Sequence, residues 1–131
     1  MISLNVEYKI FRNIKSTRKI ILNINKYKNW WNNFNTKVIN NTIIFSPFPL
    51  TTVELQPVKI ESNSIKFKYT KAPFVGFGTW TLTSSGPQTL VSYSIDIEGK
   101  KCFINFLIKT PVFKYKHRRD IIKLIKKLEW I

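Results

Sequence analysis

The clearest pattern in the chain is a strict two-residue alternation near its middle. Ile65, Phe67 and Tyr69 are separated by two lysines, so apolar and charged side chains point in opposite directions. Successive side chains of a strand lie on opposite faces of the sheet, and this pattern therefore predicts a half-buried strand. Similar patterns extend from about residue 36 to residue 98. They predict an antiparallel sheet with one apolar face.

The segment before this sheet predicts one more strand and two short helices. Residues 2–11 alternate like a strand. We expect a short helix from a cap at Ser16 or Thr17 to about Asn25. A second helix is expected to hold an aromatic group and to end at an asparagine-rich run, because asparagine favours turns. The aromatic residues are Tyr27, Trp30 and Trp31, and the run is Asn32, Asn33 and Asn35.

Turn signals divide the predicted sheet into strands. We expect breaks at Asn40–Asn41 and Ser62–Asn63, and a hairpin at Ser85–Gly86–Pro87. The segment Pro47–Phe48–Pro49 is expected to form a turn or bend, because each proline lacks an N–H donor and fixes its own φ. Pro57 is expected at an edge position or a bulge.

The C-terminal region has a helical period. From about Val112 the apolar residues recur at helical spacing, and Pro111 suits the first turn of a helix. The predicted stripe consists of His117, Ile121, Leu124, Ile125 and Leu128. The segment 101–109 fits either a final strand or a helical turn.

These elements predict a single α+β domain over residues 1–131. We expect a curved antiparallel sheet of six to seven strands, preceded by two short helices and covered by one long C-terminal helix. A sheet with one apolar face must cover that face, and the C-terminal helix is the one predicted element long enough to do so. A strongly curved sheet wrapped on one helix leaves a gap, which forms a natural ligand cavity.

Several segments resemble the START-like superfamily (SRPBCC), which includes polyketide cyclase/dehydrase and lipid-transport proteins. The similar segments are Gly76–Leu82, Thr89–Tyr93, the Tyr27-x-x-Trp30-Trp31 motif and Thr110–Leu128. The resemblance covers nearly the whole chain and implies the helix-grip fold. It also implies a lipid, sterol, polyketide or other apolar ligand, but no particular reaction. The short chain and its four glycines depart from typical relatives, which implies a smaller or partly filled cavity.

Aromatic residues make up 15% of the chain, which exceeds what so small a core needs. Aromatic side chains beyond the core often line cavities. An inward-facing tyrosine also needs a hydrogen-bond partner, which a ligand can supply. The candidate ligand-binding residues are Trp30, Trp31, Phe45, Phe67, Tyr69, Phe77, Trp80, Tyr93, Phe106, Phe113 and His117.

The sequence contains few groups that could carry out a reaction. His117 is the one histidine, and its position on the apolar stripe is more typical of a packing residue than of a general base. Cys102 is the one cysteine, which excludes an internal disulfide and a cysteine-based zinc site. We therefore predict no catalytic residues, no metal site and no cofactor.

The formal net charge is +15, from 22 Lys and Arg against 7 Asp and Glu. Such a charge is typical of proteins that bind nucleic acid or anionic lipid, but A·T-rich codon usage also raises the lysine content. The candidate basic surface consists of Lys66, Lys68, Arg118, Arg119, Lys123, Lys126 and Lys127. The chain lacks a signal peptide and a long apolar stretch, so we expect a cytoplasmic protein.

We predict a binding or carrier domain for a small hydrophobic ligand rather than an enzyme. The charge supports one alternative, a module that associates with nucleic acid, the ribosome or an anionic membrane. A second alternative is an enzyme of the cyclase or dehydratase type that uses His117 or a cavity tyrosine.

Overall fold

The computed structural model describes residues 1–31, 34–48 and 50–131, with Phe48 as backbone only. Asn32, Asn33 and Pro49, on which two of the expectations above depend, lie outside the described residues. The strands are β1 (Ile2–Ile10), β2 (Lys37–Ile39), β3 (Thr42–Phe48), β4 (Thr51–Ile60), β5 (Ser64–Lys71), β6 (Phe74–Ser85) and β7 (Gln88–Gly99). The helices are α1 (Ile14–Ile21), α2 (Tyr27–Trp30), α3 (Cys102–Ile108) and α4 (Pro111–Lys127), with 3-10 turns at Ile24–Lys26 and Leu128–Trp130.

The seven strands form one antiparallel sheet in the order β1-β7-β6-β5-β4-β3-β2. The first strand pairs with the last along its whole length, from Ile2 opposite Ile97 to Ile10 opposite Thr89. The predicted α+β class, with two short N-terminal helices and one long C-terminal helix, is confirmed.

One face of the sheet, the inner face, carries the hydrophobic core. Phe67 and Trp80 on this face are fully buried, as are Leu124 and Ile125 of α4. These residues belong to one continuous cluster, so α4 covers the sheet as predicted. Thr110 starts α4, because its side-chain oxygen accepts a hydrogen bond from the Phe113 N–H at 3.3 Å.

The prediction that Ser16 or Thr17 caps the first helix is wrong. Asn13 is the cap, and its side-chain oxygen accepts a hydrogen bond from the Ser16 N–H at 2.8 Å. Thr17 instead lies inside α1, where its hydroxyl donates to the Asn13 carbonyl at 2.9 Å. Asparagine is as good a cap as serine, so residue type alone does not distinguish these positions.

Two of the predicted hairpins have tight two-residue turns. Asn40 and Asn41 both have positive φ, a conformation that asparagine tolerates well. Gly86 has φ +63° and begins the turn that pairs Ser85 with Gln88. These turns fix the register of the strands that lead to the candidate site.

Pro47 and Phe48 belong to β3 rather than to the predicted turn or bend at Pro47–Phe48–Pro49, whose third residue lies outside the described residues. The register between β3 and β4 shifts between Phe45 and Phe48. Such an irregularity accommodates a proline, which cannot donate to the ladder of strand hydrogen bonds.

The segment 101–109, for which strand and helix both remained open, forms α3. Ile108 is buried and Ile104 is partly buried, four residues apart on one side of the helix. The Asn105 side-chain oxygen accepts a hydrogen bond from the Gly99 N–H at 3.3 Å. No helix in the described parts of the chain is long and apolar enough to cross a membrane.

Candidate functional site

A cavity of about 70 Å³ lies between the inner face of the sheet and α4, and it is partly open to solvent. Apolar and aromatic side chains make up most of its wall. The sheet contributes Phe45, Pro47, Val53, Tyr69, Phe74, Tyr93 and Ile95, and α4 contributes Phe113, Lys116, His117, Asp120, Ile121 and Leu124. Trp31 and Phe34, from the segment between α2 and β2, complete it.

The structure places six of the eleven candidate ligand-binding residues on this wall. They are Trp31, Phe45, Tyr69, Tyr93, Phe113 and His117. Three others are fully buried in the aromatic core beside the cavity, namely Trp30, Phe67 and Trp80. The rings of Trp30 and Trp80 lie 6.0 Å and 5.9 Å from the ring of Trp31. These residues support the wall from behind.

Phe77 and Phe106 lie away from the cavity. Phe77 alternates with the buried residues of β6 and so lies on the outer face of the sheet, where its ring centroid is 4.4 Å from Lys66 Nζ. Phe106 is an exposed residue of α3. The odd spacing between Phe77 and Trp80 already places them on opposite faces of one strand.

Nine wall residues were not among the candidates. They are Phe34, Pro47, Val53, Phe74, Ile95, Lys116, Asp120, Ile121 and Leu124. Periodicity is a signal for some of them, because Ile95 shares the face of Tyr93 and because Ile121 and Leu124 lie on the predicted helical stripe. No periodic pattern points to Phe34 or Pro47.

Two tyrosines on the sheet side of the cavity are hydrogen-bonded to each other, with 3.0 Å between the hydroxyl oxygens of Tyr69 and Tyr93. Burial raises the pKa of Tyr69 to about 12 and raises the pKa of Tyr93 well above its ordinary value. Both hydroxyls therefore stay protonated at neutral pH. One hydrogen serves their mutual bond, and the other is left to donate elsewhere.

Gly78 makes room for this pair. A Cβ atom on Gly78 would lie 2.1 Å from the Tyr93 hydroxyl oxygen and 2.8 Å from the carbon that bears it. Real side chains never approach so closely, so the Tyr93 ring can occupy its position only over a glycine.

His117 lies on the helix side of the cavity, between two aromatic rings. Its ring stacks on Phe113 at 6.1 Å and lies 6.2 Å from the ring of Tyr93. The pKa of His117 is lowered to about 4, mainly by burial, which Asp120 partly opposes and the nearby Lys116 reinforces. The imidazole is therefore neutral at pH 7, and its buried Nε2 has no hydrogen-bond partner among the described residues.

Other polar groups lie on the wall as well. The buried indole N–H of Trp31 has no partner within the described part of the chain. Lys116 Nζ pairs with Asp120 at 2.5 Å, and both side chains retain some exposure. The site therefore combines an apolar wall with a few neutral polar atoms. One ion pair, Lys116–Asp120, lies on the part of the wall that is exposed to solvent.

The predicted basic surface is divided between two sides of the molecule. Lys66 and Lys68 lie on the outer face of β5, opposite the core. The other members, Arg118, Arg119, Lys123, Lys126 and Lys127, belong to α4, which covers the inner face. Lys126 Nζ lies 5.4 Å from the ring centroid of Tyr8 on β1. The seven cations therefore do not form one continuous patch.

The described residues contain no group of three His, Cys, Asp or Glu side chains that could hold a metal ion. The chemistry available at the cavity is therefore that of hydroxyls, an indole N–H, a neutral imidazole and the Lys116–Asp120 pair. Such an arrangement suits an apolar molecule that carries one or more polar groups.

No protein-family model matches the sequence, and no curated protein matches it. Solved structures do match its fold. A conserved protein from Geobacillus kaustophilus aligns with a TM-score of 0.73 at 10% identity, over 98% of this chain and 93% of that one. A START superfamily protein from Mycobacterium smegmatis aligns with a TM-score of 0.68 at 14% identity, over 97% and 94% of the two chains.

Norcoclaurine synthase from Thalictrum flavum, solved in complex with dopamine and hydroxybenzaldehyde, also aligns. Its TM-score is 0.65 at 12% identity, over 95% of this chain and 86% of that one. Identities this low establish the fold alone. The alignments nevertheless extend over nearly the full length, and they confirm that this chain has the helix-grip fold of START-like proteins.

Proposed function

We propose that the protein binds a small, mostly apolar molecule with one polar group, such as a phenol, in the cavity between the sheet and α4. The observation that carries this proposal is an apolar wall that also contains buried polar atoms, which have no hydrogen-bond partner among the residues that the structure describes. An unpartnered buried polar atom destabilises a protein, and a ligand that supplies the missing hydrogen bond removes that cost.

Three groups are available to the polar end of such a ligand. The Trp31 N–H is a donor, and the Tyr69–Tyr93 pair has one hydroxyl hydrogen left to donate. The Nε2 atom of neutral His117 accepts or donates according to its tautomer. A phenolic oxygen, which both accepts and donates, can satisfy two of these groups at once.

The size of the cavity limits the ligand. Its volume of about 70 Å³ is smaller than the ~150 Å³ of an engineered cavity that holds benzene. A one-ring ligand therefore extends into the open side of the cavity or displaces a wall side chain. The norcoclaurine synthase neighbour was solved with two one-ring phenolic compounds, which supports this class as the first to test.

Binding fits the site better than proton-transfer catalysis. A general base works best when its pKa lies near the working pH. The pKa of His117 is about 4, and those of the two tyrosines are raised by burial. None of the three is therefore suited to take up a proton at pH 7.

The test is a titration with 4-hydroxybenzaldehyde, compared with benzaldehyde, and followed by the indole N–H signals in NMR spectra. We expect the hydroxylated compound to bind more tightly and to shift the Trp31 indole signal. Trp130, which is exposed at the end of the chain, provides an unaffected reference within the same protein.

Two matched variants locate the binding. Val53 is buried on the cavity wall, and Val58 is half-exposed on the same strand. We expect Val53→Phe to fill the cavity and abolish binding, and Val58→Phe to leave it unchanged. Equal binding by both variants, or the absence of binding by any apolar or phenolic compound, contradicts the proposal.

A further inference from the structure

An apolar surface is exposed on α3 and the first two turns of α4. We call it the α3 surface, and it consists of Phe103, Phe106, Leu107, Val112 and Tyr115. The exposed fractions of these residues range from 39% to 77%. Five large exposed side chains within thirteen residues of two consecutive helices are uncommon on a protein that meets only water, and clusters of this kind mark sites of interaction.

The way α3 packs explains why these residues are exposed. Ile104 and Ile108 face the protein, and Asn105 bonds to the end of β7 at Gly99. Phe103 and Phe106 point to solvent on the other side of the same helix, and Leu107, three residues from Ile104, lies at the edge of that side. A helix can bury only one side against the sheet, and in α3 that side carries Ile104 and Ile108. The apolar residues on its other side therefore remain exposed.

Four lysines lie next to the residues of the α3 surface in the sequence. Lys100, Lys101, Lys109 and Lys114 are all exposed, and none has an ion pair among the described residues. The sequence contains no acidic residue between Gly99 and Lys116. The surface therefore combines apolar side chains with uncompensated positive charge.

We infer that the α3 surface docks the protein on an anionic lipid membrane. The transfer of phenylalanine, leucine and valine side chains from water to the boundary between head groups and acyl chains is favourable. Lysines around them are attracted by the negative surface potential of acidic lipids. The inference does not depend on what the cavity binds, because it uses other residues.

The same observations disfavour two other partners. RNA is held by stacking on aromatic rings and by phosphate contacts, and Leu107 and Val112 gain nothing from stacking. A second copy of the chain would bring two sets of these lysines together, on molecules that each carry a net charge of +15. A membrane of acidic lipids offers an apolar interior to the exposed apolar side chains and negative head groups to the lysines.

Vesicle co-sedimentation tests the inference. We expect binding to vesicles of equal parts phosphatidylcholine and phosphatidylserine, and much weaker binding to phosphatidylcholine alone. Phe103→Ser/Phe106→Ser should weaken binding by at least about tenfold. The exposed Phe11 provides the matched control, and Phe11→Ser should leave binding unchanged.

A second pair of variants tests the charge. Lys109→Gln/Lys114→Gln should weaken binding by about 30-fold, because each lysine near an anionic surface contributes to attachment. Lys19→Gln/Lys28→Gln removes the same charge from exposed positions elsewhere and should have a much smaller effect. Circular dichroism of all variants checks that each remains folded.

The single cysteine supplies a readout of insertion. Cys102 is exposed at the start of α3, so an environment-sensitive fluorophore attached to it should shift to shorter wavelength on vesicles. The same fluorophore in Cys102→Ser/Ser62→Cys, at the exposed turn between β4 and β5, should not shift.

Three results overturn the inference. The first is the absence of binding to anionic vesicles at low salt. The second is vesicle binding that the phenylalanine variant leaves intact, which places the contact elsewhere. The third is binding to single-stranded RNA that Phe103→Ser/Phe106→Ser abolishes while the Cys102 fluorophore shows no insertion into vesicles, which makes the surface a nucleic-acid site.

Discussion

The hydroxyl oxygens of Tyr69 and Tyr93 lie 3.0 Å apart although their strands are not neighbours in the sheet. Tyr69 is on β5 and Tyr93 is on β7, and β6 lies between them. The two side chains meet above Gly78 of β6, where any side chain would occupy the same space. The hydrogen bond therefore joins β5 to β7 across β6, at the wall of the cavity.

Removal of either hydroxyl should reduce stability modestly. We expect Tyr69→Phe and Tyr93→Phe each to lower the free energy of unfolding by about 1 kcal/mol, which is typical for a buried hydrogen bond. The double variant should lose little more than either single one, because both changes remove the same bond. Urea denaturation of the four proteins measures this coupling, and fully additive losses would show that the hydroxyls act independently.

Replacement of Gly78 should disturb Tyr93 directly. We expect Gly78→Ala to lower the free energy of unfolding by about 1–3 kcal/mol, because the new methyl group overlaps the tyrosine ring. The matched background is Tyr93→Leu, which removes the overlapping atoms. In that background Gly78→Ala should cost much less, as measured by thermal or urea denaturation. An equal cost in both backgrounds would assign the effect to the backbone of β6.

Local pattern was sufficient to predict the framework of this fold. Alternation at Ile65, Phe67 and Tyr69, and the helical stripe at Ile121 and Leu124, depend on geometry within one element, and sequence displays such geometry directly. The same reasoning applied strictly would have excluded Phe77 from the cavity, because it is three residues from Trp80 on one strand.

Other features depend on how elements meet, and no pattern within one segment records them. Phe34 and Pro47 reach the cavity through a loop and a register shift. The outward side of α3 is as apolar as a buried one, so Phe106 looked like a cavity residue although it faces solvent. The Tyr69–Tyr93 bond likewise depends on strand order, which alternation alone does not specify.

The N-cap of α4 should contribute to stability through a single hydroxyl. The Thr110 oxygen accepts from the Phe113 N–H and its hydrogen is donated to the Leu107 carbonyl at 2.7 Å, so it joins α3 to α4. We expect Thr110→Ala to lower the free energy of unfolding by about 1 kcal/mol. Thr110→Ser keeps the hydroxyl and should lose less than half of that. Equal losses in the two variants would show that the methyl group, not the oxygen, matters.

His117 should make the protein less stable as the solution becomes acidic. Its pKa is about 4 in the folded protein against an ordinary value of 6.5, because burial disfavours the charged ring. Between these two values the unfolded chain takes up a proton that the folded protein does not, so the free energy of unfolding falls as the pH falls from about 6.5 to about 4. The full loss is about 3 kcal/mol and levels off below pH 4.

Urea denaturation at a series of pH values should therefore show a shallower decline for His117→Gln, in which this titration is absent. The two proteins differ in this one side chain, so the difference between their profiles isolates the histidine. Parallel profiles would mean that the ring reaches water in the folded protein, and its Nε2 would then not need a ligand as a partner.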